Sequence, residues 1–195
     1  MRLLFLIVIL IQTSNLYSQS ENSIVYYING KILKEHVSIG FQNNVLIKKN
    51  ERTAVLDYNM IKRIEITDPI EKVNKIYEYV YVKNKKTPFL MELLYEGKKV
   101  KLYARRAYRM NMINQTNNPS SISTSEMSHY GQKKNEKYVE QISFEGIDAI
   151  YGNKFNKKGS KFFSDCPELA KKIDSKEIKN KDKIKAFEFY EKNCD

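Results

Sequence analysis

The sequence has 195 residues and a formal net charge of +11, which comes mostly from lysines spread along the whole chain. One folded domain with its own core is expected at this length. The positive charge indicates either a solvated lysine-rich surface or an anionic partner, such as a lipid headgroup, lipopolysaccharide or an acidic glycan.

The N-terminus has the pattern of a secretory signal peptide. Arg2 precedes an unbroken apolar run, Leu3–Ile11, and a short polar stretch ends at Ser18. We therefore expect cleavage after residue 18 and export, to the periplasm, the outer membrane or the medium. An apolar run this short does not span a bilayer, and no other stretch is apolar enough to do so. Export makes intracellular nucleic acid an unexpected partner.

Residues 19–152 are predicted to form a β-rich domain. Apolar residues alternate with polar ones in short runs, and Asn29-Gly30 is a strong hairpin signal. The predicted strands cover these runs: 24–28, 37–41, 45–47, 53–58, 64–66 and 76–82. Their spacing indicates an antiparallel sheet, a sandwich or a small barrel.

The hairpin Phe89–Arg105 is expected to lie at the centre of this sheet. Val100, Leu102 and Ala104 alternate with polar residues, and we expect Gly97 to adopt a positive φ in the turn. Residues 111–136 are rich in Asn, Ser, Gln and Thr, which predicts a disordered polar insertion.

Residues 153–195 are predicted to be helical. Aromatic residues recur at helical spacing, and Asp165-Cys166-Pro167 is typical of a helix start. A last helix is expected over 181–192, with Ile184, Phe187 and either Tyr190 or Phe189 on its apolar face. The fold class is therefore α+β, an antiparallel domain followed by a helical hairpin.

A resemblance to a known group of proteins depends on the signal ending in Ser-Gln and on two sequence segments, LLYEGKKVKLY and KFFSDCPELAKKI…FEFYEKNC. The chain resembles a group of uncharacterised exported proteins of Bacteroidetes-type bacteria. The resemblance implies a β domain with a helical tail, and it implies no catalytic residue.

Cys166 and Cys194 are the only cysteines. In an exported protein we expect them to form a disulfide, because antiparallel helices would bring the start of one beside the end of the next. A reactive thiol at the helix start is the alternative. The two histidines, His36 and His129, have no metal-ligand spacing, so no metal or cofactor is expected.

Two surfaces could recognise ligands. Arg105, Arg106 and Arg109 lie beside Tyr103 and Tyr108, and guanidinium and phenol groups suit an anion-binding patch. A charged edge strand is the alternative interpretation of this patch. The stripe of Tyr77, Tyr79 and Tyr81 could stack on sugars, or it could be one wall of the sheet.

No catalytic motif is found in the sequence. We therefore expect a non-enzymatic binding or envelope-associated module with a basic surface. An extracytoplasmic hydrolase, with carboxylates or Cys166 that converge only in the fold, is the alternative.

Overall fold

The structure is a computed structural model that describes residues 23–40, 44–49, 52–68, 72–113, 120–145 and 155–194. The predicted signal peptide, residues 1–18, lies outside this range. The fold is α+β, with antiparallel strands followed by helices. The strands are β1 Ser23–Tyr27, β2 Ile32–Glu35, β3 Val37–Ile39, β4 Val45–Lys49, β5 Arg52–Leu56, β6 Ile61–Thr67, β7 Asn74–Val82, β8 Phe89–Glu96, β9 Val100–Ile113, β10 Ser120–Lys133 and β11 Tyr138–Glu145. The α-helices are α1 Phe155–Phe162, α2 Pro167–Asp174 and α3 Lys183–Asn193, and a 3₁₀ turn covers Tyr58–Met60.

Eight strands form the main sheet in the order β11-β10-β9-β8-β7-β6-β1-β2, and β3-β4-β5 form a small second sheet. The predicted hairpin at Asn29-Gly30 is confirmed, with Gly30 at a φ of +85°. Each predicted strand of residues 24–105 corresponds to an observed one, because the alternation of apolar and polar residues matches the pleat of a half-buried sheet.

The strand β11 also pairs in parallel with the end of β7, where Tyr138 lies opposite Tyr81 and Val139 opposite Val82. This pairing closes β7, β8, β9, β10 and β11 into a ring. All five strands contribute apolar side chains to one common cluster: Val80, Met91, Tyr103, Tyr130 and Val139. The ring is therefore filled by side chains on the inner face of its strands.

Two further clusters lie outside the ring. β1 and β6 pack with the small sheet around Val25, Val45 and Ile64, and the half-buried Tyr77 and Tyr79 lie against this cluster. The helices pack on β9 and β11, with Leu102 and Ile142 beneath four aromatic residues at the centre: Phe155, Phe162, Phe163 and Phe187. Ile184, expected on the buried face of the last helix, is 43% exposed, whereas Ala186 is fully buried.

The prediction of a disordered insertion over residues 111–136 is wrong for its largest part. Ser120–Lys133 form the strand β10, which pairs with β9 residue for residue from Ser120 opposite Ile113 to Lys133 opposite Val100. Backbone pairing to a long partner strand supplies the order that the polar composition does not. His129 and Tyr130, expected in a mobile loop, are both buried.

Candidate functional site

Closure of the ring links three lysine-rich turns in a band, in which the first and second turns lie at opposite ends of the strand β8 and the third adjoins both. These are the β7–β8 turn (83–88), the β8–β9 turn (97–99) and the β10–β11 turn (134–137). The backbone N–H of Lys134 donates to the carbonyl of Lys99 at 2.9 Å, which joins the second and third turns. The parallel pairing of Tyr138 with Tyr81 brings the third turn to the end of β7, where the first turn begins.

Local sequence accounts for the shape of the first turn. Asn84 has a φ of +68°, a left-handed conformation that asparagine tolerates better than most residues. The N–H of Lys85 then closes the turn on the carbonyl of Val82 at 3.0 Å. The turn consequently projects Lys83, Lys85 and Lys86 into solvent, and all three are exposed.

Six lysines of these turns are directed to solvent rather than to acids. Lys133, at the end of β10, pairs with Asp165 at 2.8 Å, and the ammonium of Lys99 donates to the carbonyl of Cys194. The other six side chains make no ion pair with any residue that the structure describes. We call these six residues the lysine turn surface: Lys83, Lys85, Lys86, Lys98, Lys134 and Lys137.

Two tyrosines adjoin this surface. Lys137 Nζ lies 5.4 Å from the ring centroid of Tyr81 and 5.7 Å from that of Tyr138. Tyr138 is 41% exposed, although it lies at a strand pair. Of the predicted tyrosine stripe, Tyr77 and Tyr79 pack against the cluster around Val25, Val45 and Ile64, and Tyr81 lies beside the lysine turn surface.

The structure does not bring the predicted Arg/Tyr patch together on one surface. Tyr103 is 1% exposed, and its hydroxyl donates to Glu78 Oε2 at 2.8 Å. Arg105 shares the face of Tyr103, whereas the exposed Arg106 points to the opposite face of β9. Arg109 and Tyr108 continue β9, and their side chains lie outside what the structure describes.

Arg105 itself has an unusual environment. Its guanidinium lies over the ring of Phe89, 4.0 Å from the centroid. Its buried Nε has no hydrogen-bond partner. The stacking interaction accounts for its position, and no acid among the described residues forms an ion pair with it.

The best-connected carboxylate is Glu78, which lies on the inner face of the ring. Arg63 Nη2 lies 2.6 Å from Glu78 Oε1 and also 2.9 Å from Glu96 Oε1, and Lys101 Nζ lies 2.7 Å from Glu96. Burial alone would raise the pKa of Glu96, but hydrogen bonds from Lys101 and Arg63 outweigh it and hold that pKa low. Burial, then the charge of Glu78, raises the pKa of the Tyr103 hydroxyl. Each carboxylate is therefore engaged by cations, and the network serves to hold β6, β7 and β9 together.

A second polar cluster contains the residue types of a catalytic triad but not its geometry. Ser143 Oγ lies 3.1 Å from His129 Nδ1, and Glu145 Oε1 lies 3.9 Å from the same nitrogen. A triad places the serine and the acid on different ring nitrogens. Ser143 is also fully buried, so no substrate reaches its hydroxyl. Burial, then the charge of Lys183, lowers the pKa of His129 to about 4 and keeps its ring neutral.

The sulfurs of Cys166 and Cys194 lie 2.04 Å apart, the distance of a disulfide, with a Cα–Cα distance of 5.7 Å. Cys166 caps the start of α2 and Cys194 the end of α3, which is the arrangement that the sequence predicts. A sulfur bonded in this way carries no thiol group, so Cys166 does not act as a thiolate nucleophile in this state.

Within the described ranges, no three His, Cys, Asp or Glu side chains converge as a metal site would require. No helix in that part of the chain is long and apolar enough to cross a membrane. Comparison of the sequence with protein-family models and curated proteins, and of the structure with solved structures, finds no match.

Proposed function

We propose that this protein is an exported, non-enzymatic module that binds an anionic component of the cell envelope through its lysine turn surface. The observation that carries the proposal is the band of three linked lysine-rich turns, whose six exposed lysines make no ion pair with any described residue. The sequence resemblance to exported bacterial proteins points to the same compartment.

The distribution of the lysines favours an extended anionic partner. Isolated surface lysines are commonly paired with nearby acids or spaced apart by them, since like charges repel. Here the three turns contain seven lysines, counting Lys99, and a single acid, Glu136. A partner with many negative charges would relieve this repulsion, and its binding would weaken as salt is added.

The disulfide-distance pair supports an extracytoplasmic location. A bond between Cys166 and Cys194 is compatible with an oxidising compartment, as export would provide. The pair links α2 with the end of α3, and Glu191 of α3 accepts the backbone N–H groups of Lys98 and Lys99 in the β8–β9 turn.

The test measures binding of the mature, oxidised chain to three anionic probes: phosphatidylglycerol vesicles, lipopolysaccharide and the acidic polysaccharide alginate. Binding to at least one probe is expected at low salt and should fall as salt rises. Changing Lys83, Lys85 and Lys86 together to Glu should weaken that binding by about tenfold or more, because each lysine near an anionic surface contributes about 1 kcal/mol.

The matched control changes three exposed lysines of the helical part, Lys171, Lys179 and Lys181, to Glu. The control alters net charge by the same amount but leaves the lysine turn surface intact, so it should bind nearly as well as the wild type. Equal loss in both triple variants would mean that only net charge matters. No loss in the Lys83/Lys85/Lys86 variant would overturn the proposal.

A further inference from the structure

We propose that the anionic partner is a membrane surface, and that Ile28, Met60 and Tyr138 enter its interface beside the lysine turn surface. This inference rests on the proposed function and names the partner class of that same surface. It is carried by the exposure of these three side chains and by the contacts that link them to the end of β7.

These three residues belong to the eight large apolar side chains that are exposed among the described residues. Ile28 is 66% exposed, Met60 51% and Tyr138 41%. Single exposed apolar residues are common on soluble proteins, but a group of them flanked by cations marks an interaction surface.

A chain of contacts connects Ile28 and Met60 with the lysine turn surface. The N–H of Ile28 donates to the carbonyl of Met60 at 2.9 Å. Met60 ends the 3₁₀ turn that begins at Tyr58, and the ring of Tyr58 lies 5.7 Å from that of Tyr79 on β7.

Tyr81 lies on the same face of β7 as Tyr79, and it is the residue of that face that adjoins the lysine turn surface. Tyr81 follows two residues later, lies opposite Tyr138 and has Lys137 beside its ring. β6 pairs in antiparallel fashion with residues 74–77 of β7, and β11 pairs with Tyr81 and Val82. The start of β6, which follows the 3₁₀ turn that contains Met60, is therefore directed toward the start of β11 at Tyr138.

This combination suits a bilayer interface better than a soluble polyanion. Lysines are drawn to anionic headgroups, while apolar side chains and amphipathic tyrosines gain by entering the boundary between headgroups and acyl chains. A soluble acidic glycan would pair with the lysines but would leave Ile28 and Met60 in water. The protein would accordingly lie on the membrane rather than span it.

The experiment compares cosedimentation with two vesicle types, phosphatidylcholine alone and phosphatidylcholine mixed with an equal part of phosphatidylglycerol, and binding to alginate. The wild type should bind the mixed vesicles and not the neutral ones. Changing Ile28 and Met60 together to Ser should weaken vesicle binding by about tenfold, since two side chains no longer leave water, and should leave any binding to alginate unchanged.

Val55→Ser with Ile184→Ser is the matched control, because these side chains are 62% and 43% exposed and lie on the small sheet and the last helix. That control should bind vesicles as the wild type does. Undiminished vesicle binding by the Ile28/Met60 variant would overturn this inference, as would wild-type binding to alginate without binding to vesicles. Undiminished binding of every probe by the Lys83/Lys85/Lys86→Glu variant would instead overturn the proposed function.

Discussion

The carboxylate of Glu191, on the last helix, lies against the backbone of Gly97 in the β8–β9 turn. A Cβ atom on Gly97 would come within 2.3 Å of Glu191 Oε2. The two carboxylate oxygens accept the backbone N–H groups of Lys98 and Lys99 at 2.8 and 2.9 Å. The close approach of the Glu191 carboxylate therefore favours glycine at position 97. The expectation that it supplies a positive φ is wrong, since Gly30 is the described glycine in that conformation.

Replacing Gly97 with Ala should destabilise the protein by about 1–3 kcal/mol, as expected for overpacking and for the loss of charged hydrogen bonds. Changing Glu191 to Ala should remove the clash along with the two hydrogen bonds. The double variant should therefore be less destabilised than the sum of the single variants, and thermal unfolding of all four proteins measures this coupling.

Glu188→Ala provides the control, because Glu188 is exposed on the same helix. That variant should unfold close to the wild type. Strict additivity of Gly97→Ala and Glu191→Ala would contradict the contact described above.

The link between Cys166 and Cys194 should contribute substantially to stability. The cysteines are 28 residues apart in sequence. In the chain-entropy model, closing a loop of this length lowers the conformational entropy of the unfolded chain and raises the free energy of unfolding by about 3.5 kcal/mol. Changing both cysteines to Ser should lower the melting temperature, and reduction of the wild type should have the same effect. Reagents that label free thiols should find none in native protein prepared without reductant, and labelling of both cysteines would contradict this prediction.

The strands of residues 24–105 could be predicted from the sequence because their order is local. Apolar residues at alternate positions, ended by Asn-Gly or Lys-rich turns, specify half-buried strands without knowledge of their neighbours. The strand β10 could not, because its first half, Ser120–Ser125, contains a single apolar residue, Ile122. Its order depends on pairing with β9, a relationship that composition does not reveal.

The candidate site was missed for a related reason. From the sequence, the lysines of the three turns are expected to be ordinary solvated surface residues, and residues 97–99 and 134–137 are far apart along the chain. Two contacts between parts of the chain that are distant in sequence link these turns, namely the hydrogen bond from Lys134 to Lys99 and the pairing of Tyr138 with Tyr81. The Arg/Tyr patch illustrates the opposite error, because proximity in sequence along a strand sends Arg105 and Arg106 to opposite faces.

The burial of His129 should make stability depend on pH. Its neighbours are Ser143, Glu145 and Lys183, and the folded pKa of about 4 lies below the ordinary value of 6.5. Between these values the unfolded chain binds a proton that the folded chain does not. The contribution of neutral His129 to the free energy of unfolding is therefore fully present above pH 6.5. It is lost as pH falls toward 4, by up to about 3 kcal/mol.

Denaturant unfolding at a series of pH values from neutral to 4 measures this loss. His129→Gln should flatten the dependence over that range, whereas His36→Gln should not, because His36 is exposed. The pKa of Glu145 is also lowered, by its bond from Lys183 against the effect of burial, so its contribution is lost at lower pH, as its carboxylate becomes protonated. An unchanged pH dependence in His129→Gln would contradict the prediction.

The Glu78 carboxylate should be the most sensitive charge in the ring, because its side chain is only 12% exposed and serves two cations and a tyrosine. Glu78→Gln keeps the shape but removes the charge, which leaves Arg63 and Lys101 with Glu96 as their remaining partner. Breaking a largely buried ion pair in this way typically costs about 3 kcal/mol. Tyr103→Phe removes the hydrogen bond from the tyrosine hydroxyl to Glu78 Oε2 and should cost about 1–2 kcal/mol. Because both changes act on one network, their effects on the free energy of unfolding should not add, and urea unfolding of the single and double variants measures this. Full additivity would mean that Tyr103 contributes to stability through packing alone.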